Sequence, residues 1–560
     1  MDIRLTEADV QYIVESVLRN IDRRLNDPGA NGRPQAPGAP GAVAPAPPQD
    51  NRGRGAAGQT ANPGGSAVTG SACAAGAAAA GAVPAGAAGA PRATAVHVAK
   101  PEAAAGDLGV FDRAEDAIEA AYEAQRAYLR QCRMEDRERI IQAIRQVTLD
   151  HKEGLARRMR EETKLGRAEH KVAKLELTAR KTPGTEDLQT LAVSGDAGLT
   201  LTEWAPFGVI GAVTPVTNPA ETIINNAISM LAAGNTVVFN VHPSARDCSV
   251  FTVQMINKAI VKAGGPANLV TMVREPTMAS LDVIMKSPRI QLLVGTGGPG
   301  MVRTLLASGK RAIGAGAGNP PVVVDETANL ANAARAIVQG ASFDNNILCI
   351  AEKEVFVVDK AADELIFHLL DNGAYMLGHR ELEEIMSFAL VQERQDAAAG
   401  CGEKAGRVWH VAKEWVGQDA QKFLDRIGVK TERPPALLLC EVDFDHPFVQ
   451  LEQMMPILPI VRVRDLDEAI DMAVRAEHGY RHTAIMHSRN VDHLAAFARA
   501  IGTTIFVKNA SSLAGVGYGG EGFTTMTIAS RTGEGLTSAR TFTRQIRNVL
   551  AEGGFRDGDR

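Results

Sequence analysis

Residues 208–240 read GVIGAVTPVTNPAETIINNAISMLAAGNTVVFN. Val209–Val213 and Thr236–Asn240 are short apolar runs without polar alternation, the pattern of strands covered on both faces. Glu221–Ala233 between them is long enough for a helix, so the stretch reads as strand, helix, strand. The same alternation continues outward. Gln291–Val294, Pro321–Val324, Glu354–Val358 and Ala436–Leu439 read as further buried strands, and Arg113–Leu129, Asp136–Leu149 and Ser249–Ala263 as helices. Repeated alternation of this kind implies an open α/β sheet that takes a ligand at the carboxyl edge of its strands.

Bulk properties narrow the function. The chain has 560 residues and 45% apolar content, enough for two to four domains and too apolar for a mainly disordered protein. A net charge of -5 provides no basic field for nucleic acid, so small-molecule chemistry is favoured. Six cysteines without a CxxC pair argue for a reducing compartment and against a zinc ribbon. No apolar run reaches about 18 residues and the N-terminus lacks a signal core, so the sequence implies a cytoplasmic protein that does not span a membrane.

The first 107 residues differ from the rest. Val10, Ile13, Val14, Val17, Leu18, Ile21 and Leu25 recur at helical steps and predict an amphipathic helix over residues 1–25, ended by Asp27-Pro28-Gly29. Its other face mixes Glu7, Asp9, Glu15 and Asp22 with Arg19, Arg23 and Arg24, which suits a protein partner better than a membrane. From Asn26 to Asp107 there is no Leu, Ile, Met, Phe, Trp or Tyr, so residues 26–107 cannot bury a core and read as a disordered Ala/Gly/Pro-rich linker. A coil of this length spans on the order of 50 Å and would hold the helix away from the body.

Several residues in the body could carry chemistry. Cys349, in Asn345-Asn346-Ile347-Leu348-Cys349-Ile350-Ala351-Glu352-Lys353, stands just before the strand Glu354–Val358, where a scaffold would display a nucleophile; local context alone favours a buried apolar role. Gly295-Thr296-Gly297-Gly298-Pro299-Gly300 and the run from Gly314 to Pro321 are glycine turns beside strands, open to close backbone approach by a ligand. His478, His482 and His487 are unevenly spaced around Gly479, which favours one functional imidazole over a metal site.

Four ordered motifs carry a resemblance: Gly208–Pro219, Val294–Pro299, Cys349–Glu354 and His482-Thr483-Ala484. Together they resemble the CoA-acylating aldehyde dehydrogenases from about Leu108 to the C-terminus, and the N-terminal helix and linker resemble those of the propionaldehyde dehydrogenases of bacterial microcompartments. The resemblance implies an aldehyde-dehydrogenase-like α/β fold. It would comprise a Rossmann-type NAD-binding domain over 108–318, with an oligomerisation hairpin near 190–206, a catalytic domain over 319–510, and a segment 511–560 returning to the body. It assigns Cys349 as nucleophile, Asn218 as oxyanion donor with Thr217 as the alternative, and His482 as a group that polarises the carbonyl or deprotonates CoA. NAD contacts fall on Thr214, Pro215, Val216, Thr217, His242, Pro243, Thr296, Gly297, Gly298, Gly314 and Glu452. His242 stands where the family usually has lysine. Gly314 stands where hydrolytic members have a glutamate base, so the resemblance implies transfer of the acyl group to coenzyme A rather than to water. It further implies a short-chain aldehyde substrate, a dimer or tetramer, and microcompartment cargo that contacts a shell protein through residues 1–25.

Overall fold

The computed structural model describes residues 108–395 and 406–551. Within the opening stretch, Val209–Val213 pairs in parallel with Thr236–Asn240, from Val209 opposite Thr236 to Val213 opposite Asn240. The connecting helix is Pro219–Ala232, begun by Pro219 in its first turn and buried at every residue. Around this unit lies a six-stranded sheet in the order Val110–Phe111, Val270–Val273, Thr236–Asn240, Val209–Val213, Ile290–Thr296, Ala312–Ala315, parallel throughout. The chain winds outward from Val209–Val213 in one direction and then from Ile290–Thr296 in the other. The switch point between those two strands is where a doubly wound sheet opens a crevice at its carboxyl edge.

Both faces of this sheet are covered, which is why its strands are uniformly apolar. On one face Ile210, Ala212, Val237 and Phe239 pack with Ile140, Ile223 and Ile256 of three helices. On the other, Val209, Val238 and Leu293 pack with Ala117, Ile118 and Ile284. Gly211 makes the second packing possible, because a Cβ there would stand 2.6 Å from Ile284 Cγ2.

From Ala315 the chain crosses directly into a second sheet. Its seven strands are ordered Ala374–Met376, Leu437–Glu441, Ile457–Val463, Glu354–Val358, Pro321–Val324, Thr483–His487, Ile505–Lys508, again all parallel. Residues 316–320 therefore leave the carboxyl end of one sheet and enter the amino end of the other, and the two edges face a common cleft. A third, antiparallel sheet joins Leu191–Gly195, Gly198–Pro206 and the C-terminal Thr543–Ala551.

Most expected elements lie within two or three residues of their predicted limits. The exception is the helix expected over Asp136–Leu149, which runs from Met134 to Thr163. Charged residues dominate its second half, but Leu155, Ala156 and Met159 continue the buried stripe. The amphipathic helix over 1–25 and the linker over 26–107 lie outside the described residues.

Candidate active site

Cys349 is positioned by an unusual turn. Asp344, Asn345 and Asn346 have φ of 49°, 54° and 66°, three successive non-glycine residues in the left-handed region. Each costs on the order of 1–2 kcal/mol, so the surroundings must hold them. They do so from inside the protein, since all three residues are fully buried. The Asp344 N–H donates to His170 Nδ1 (2.8 Å), and the Arg167 N–H donates to Asp344 Oδ1 (2.7 Å). Asn345 Nδ2 donates to the Gly417 carbonyl (2.9 Å), and Asn346 Nδ2 to those of Ala341 (2.8 Å) and Glu352 (2.9 Å). Lys353, also fully buried, donates to the carbonyls of Asn346 (2.8 Å) and Leu348 (3.1 Å) and to Asn346 Oδ1. What the sequence shows as a polar loop is a buried hydrogen-bonded scaffold that ends at the thiol.

The charges around this scaffold are displaced from their ordinary values. Burial pushes the Cys349 thiol up to about 12, the Glu452 carboxylate adds to the rise and Lys353 opposes it. Burial likewise lowers Lys353 to about 8 and raises Glu452 to about 7. Glu452 is half-buried. Its Oε1 accepts the Gly318 N–H at 3.2 Å, which ties it to the crossing between the sheets. His482 is fully buried and held neutral, its value lowered to about 4 by burial and by Lys353. Its Nδ1 pairs with Thr483 Oγ1 at 2.9 Å and its backbone N–H donates to Glu477 Oε1 at 2.9 Å, while Nε2 has no partner among the described residues.

Gly318 separates Cys349 from His482. A Cβ at this position would stand 2.6 Å from the Cys349 carbonyl oxygen and 3.0 Å from His482 Cγ. Cys349 and Asn218 line one pocket, walled by Leu177, Phe343, Ile350 and Leu513. His482 lines another with Gly316, Ala317, Tyr480 and Arg531. Of the three catalytic candidates, the structure brings two into one chamber and sets the third across a glycine wall. His478 shares the His482 pocket, whereas His487 is a buried strand residue with neither ring nitrogen partnered.

The remaining candidates sit on the first sheet's carboxyl edge. Thr214, Pro215, Val216, Thr217 and Asn218 follow Val209–Val213, and Thr214 Oγ1 is buried without a partner among the described residues. Val216 packs against the cores of both large sheets. Thr296 ends its strand, with Oγ1 2.9 Å from Thr527 Oγ1. Gly297 has a φ of 154°, and Gly298 caps the helix Pro299–Leu306 with open space where a Cβ would stand. His242 and Pro243 follow Thr236–Asn240 and are exposed. His242 Nδ1 accepts the Ser244 N–H at 3.2 Å, which leaves the proton of the neutral ring on Nε2, facing outward. Gly314 differs from the reading of it as part of a glycine turn: it is a buried residue of the strand Ala312–Ala315, and its N–H donates to Thr532 Oγ1 at 3.3 Å. The unpartnered Thr214 hydroxyl, the free Gly298 helix start and the outward His242 N–H suit the hydroxyl and phosphate groups of a dinucleotide.

Sequence reasoning missed the helix Ala168–Lys181. Three of its lysines point inward. Lys171 and Lys174 reach Asp344 Oδ2 at 3.1 and 2.6 Å, and Lys181 donates to the carbonyls of Gly517 (2.7 Å) and Gly520 (2.9 Å). Lys174 also donates to Asn218 Oδ1 at 2.6 Å and lies 3.1 Å from Glu221 Oε1. The i, i+3, i+10 spacing of these lysines was the available signal, but lysine at helical steps ordinarily marks a solvated face.

Comparison with known proteins agrees with this geometry. The aldehyde dehydrogenase family model matches residues 106–532. The chain belongs to the aldehyde dehydrogenase family. It is 48% identical over 453 residues to an acetylating acetaldehyde dehydrogenase, EutE, of Escherichia coli, covering 81% of this chain and 94% of that relative. It is 45% identical over 446 residues to a CoA-propanoylating propanal dehydrogenase of Salmonella typhimurium, covering 80% and 92%. Among solved structures, the Rhodopseudomonas palustris propionaldehyde dehydrogenase with bound CoA and an acylated cysteine superimposes with a TM-score of 0.75 at 50% identity, over 79% of this chain and 98% of that one. A propionaldehyde dehydrogenase from the fucose utilisation microcompartment of Clostridium phytofermentans gives the same score, identity and coverage. Against this family background, the two parallel sheets and the third antiparallel sheet are the aldehyde dehydrogenase fold.

Proposed function

We propose that this aldehyde dehydrogenase oxidises a short-chain aldehyde with NAD and transfers the acyl group to coenzyme A through a thioester on Cys349. The observation that carries the reading is the apolar pocket that Cys349 shares with the Asn218 side chain. In it Cys349, after its thiol has lost its proton to solvent, adds as the thiolate to the aldehyde carbonyl, and the oxyanion of the resulting thiohemiacetal accepts hydrogen bonds from Asn218 Nδ2 and the Cys349 N–H. The walls hold the alkyl chain and exclude water. NAD, when bound, supplies the acceptor for the hydride that leaves this carbon as the thioester forms. Thr214, the Gly298 helix start and His242 Nε2 are the groups suited to hold it, with Glu452 at the inner end. The CoA thiolate then adds to the thioester carbonyl and the Cys349 thiolate leaves. His482 lines a different pocket from Cys349, which supports a task on CoA over polarising the aldehyde.

Gly314 governs the fate of the thioester. Without a carboxylate to activate water, hydrolysis forgoes the roughly 10²–10⁴-fold that a placed base supplies, whereas a thiol is partly ionised near neutral pH and needs less help. The test is the product ratio under saturating CoA, where acyl-CoA is expected to exceed free acid by at least about tenfold; mostly free acid would overturn the reading. Gly314→Glu is expected to raise acid formation only when paired with Val302→Ala, because a Cβ at 314 would stand 2.7 Å from Val302 Cγ1.

The exposed apolar side chains of the third sheet, among them Val193 (71% exposed) and Val549 (64%), support a homo-oligomer formed through that sheet. The stripe over residues 1–25 supports docking to a microcompartment shell protein. Removing residues 1–25 is expected to leave kinetics and melting unchanged while co-purification with shell proteins is lost. Retained shell entry would refute this part.

A further inference from the structure

Asn218 can stabilise an oxyanion only if its amide nitrogen, not its oxygen, faces the reacting carbon. An asparagine side chain turned by 180° presents an acceptor where a donor is needed, and the apolar residues Leu177, Phe343, Ile350 and Leu513 of the pocket do not choose between the two. The choice is made from behind. Lys174 Nζ donates to Asn218 Oδ1 at 2.6 Å, and a lysine ammonium has no acceptor with which the flipped amide could pair. Among the described residues the nitrogen has only a 3.3 Å bond to Thr217 Oγ1, which leaves one of its two N–H groups available in a side chain that lines the pocket.

We propose that Lys174 is a positioning residue that sets the Asn218 amide with its nitrogen toward the substrate carbonyl; this rests on the role given to Asn218 above. Lys174 also lines the pocket, but its ammonium is directed to protein acceptors. It is 2% exposed, and its ammonium is taken up by Asn218 Oδ1, Asp344 Oδ2 (2.6 Å) and Glu221 Oε1 (3.1 Å). Burial works to lower its value, but Asp344 and Glu221 outweigh burial and keep it charged. The same cation therefore bridges two parts of the site that come from different sheets: the oxyanion donor after Val209–Val213 and the left-handed turn that leads to Cys349. Asp344 reaches Lys171 as well as Lys174, and Glu221 stands one helical turn after Asn218, so the four charges balance as two lysines and two carboxylates.

Removing Lys174 alone leaves a buried carboxylate without compensation, so the informative variant is Lys174→Met with Glu221→Gln, which removes one charge of each sign and keeps the Lys171–Asp344 pair. In this variant kcat for aldehyde oxidation is expected to fall about 10²-fold, near the loss of one oxyanion donor, with KM for NAD unchanged. Alkylation of Cys349 by iodoacetamide passes through no oxyanion and is expected to stay within about threefold of wild type. Combined with Asn218→Ala, the paired variant is expected to lose little beyond Asn218→Ala alone, because the lysine acts through that amide. If alkylation falls together with oxidation, or the losses with Asn218→Ala multiply, or the paired variant no longer melts cooperatively, Lys174 is a structural residue of the cysteine turn and the proposal fails. If Asn218→Ala alone costs less than about threefold, the oxyanion role of Asn218 fails and this inference falls with it.

Discussion

The two large sheets turn opposite ends to one cleft, and the two edges are made of different material. The carboxyl edge of the first presents threonine hydroxyls, glycine turns and a helix start at Thr214, Thr296, Gly297 and Gly298, groups that keep one protonation state at any physiological pH. The amino edge of the second gathers Cys349, Lys353, Glu452 and His482, each moved by burial to about 12, 8, 7 and 4. An edge that only binds gains from fixed dipoles that need no reorganisation. An edge that moves protons and makes bonds needs groups whose ionisation is near balance or withheld until required.

The most severe way to break this contrast is Cys349→Ala. It is expected to lower turnover by at least about 10³-fold while the NAD dissociation constant, measured by cofactor fluorescence, stays within about threefold, because the thiol belongs to the reacting edge alone. Residual turnover above a few per cent, or acylation at Cys248 or Cys440, would contradict it.

Glu452→Gln sharpens the contrast within the reacting edge. Ionised Glu452 raises the Cys349 thiol, so the variant is expected to react faster with iodoacetamide, by about three- to tenfold, while aldehyde oxidation slows by a comparable factor. The sign fixes the pH window. With Glu452 near 7, wild type and variant should alkylate alike below about pH 6, where the carboxyl is protonated in wild type, and diverge as pH rises through 7 and 8. For both, the rate is expected to climb about tenfold per pH unit beyond that window, as befits a thiol whose own value lies far above. A plateau near pH 8 would show that the thiol is not raised.

The smallest effect is expected on the binding edge. His242→Ala removes an exposed N–H donor and should raise KM for NAD about threefold with kcat unchanged. A fall in kcat would mean that the two edges are coupled more tightly than their composition implies.

Much of this organisation was legible in the chain itself. Both strands of the 208–240 unit were readable because a strand buried on two faces shows an unbroken apolar run. Cys349 was a candidate by its place before Glu354–Val358, and only the family motif raised it above a buried apolar residue. The lysines of Ala168–Lys181 were not legible as site residues, since their meaning depends on Asp344 and Asn218, 173 and 44 residues away in sequence. Nor was the length of the helix Met134–Thr163, whose later apolar stripe is thin and set among charges. The state of Glu452 was equally hidden: a glutamate in a loop is solvated by default, and only the folded surroundings take part of its water and set the Gly318 N–H against its Oε1.

By itself the sequence determined the alternation of strands and helices and, through four ordered motifs, the family, because each of these is carried by residue type and local order. Tertiary structure alone decided which edges meet, which chamber each candidate enters and which charges are buried together. Those outcomes depend on distances between segments far apart in the chain, and the energy of a buried charge is set by neighbours that local sequence does not name.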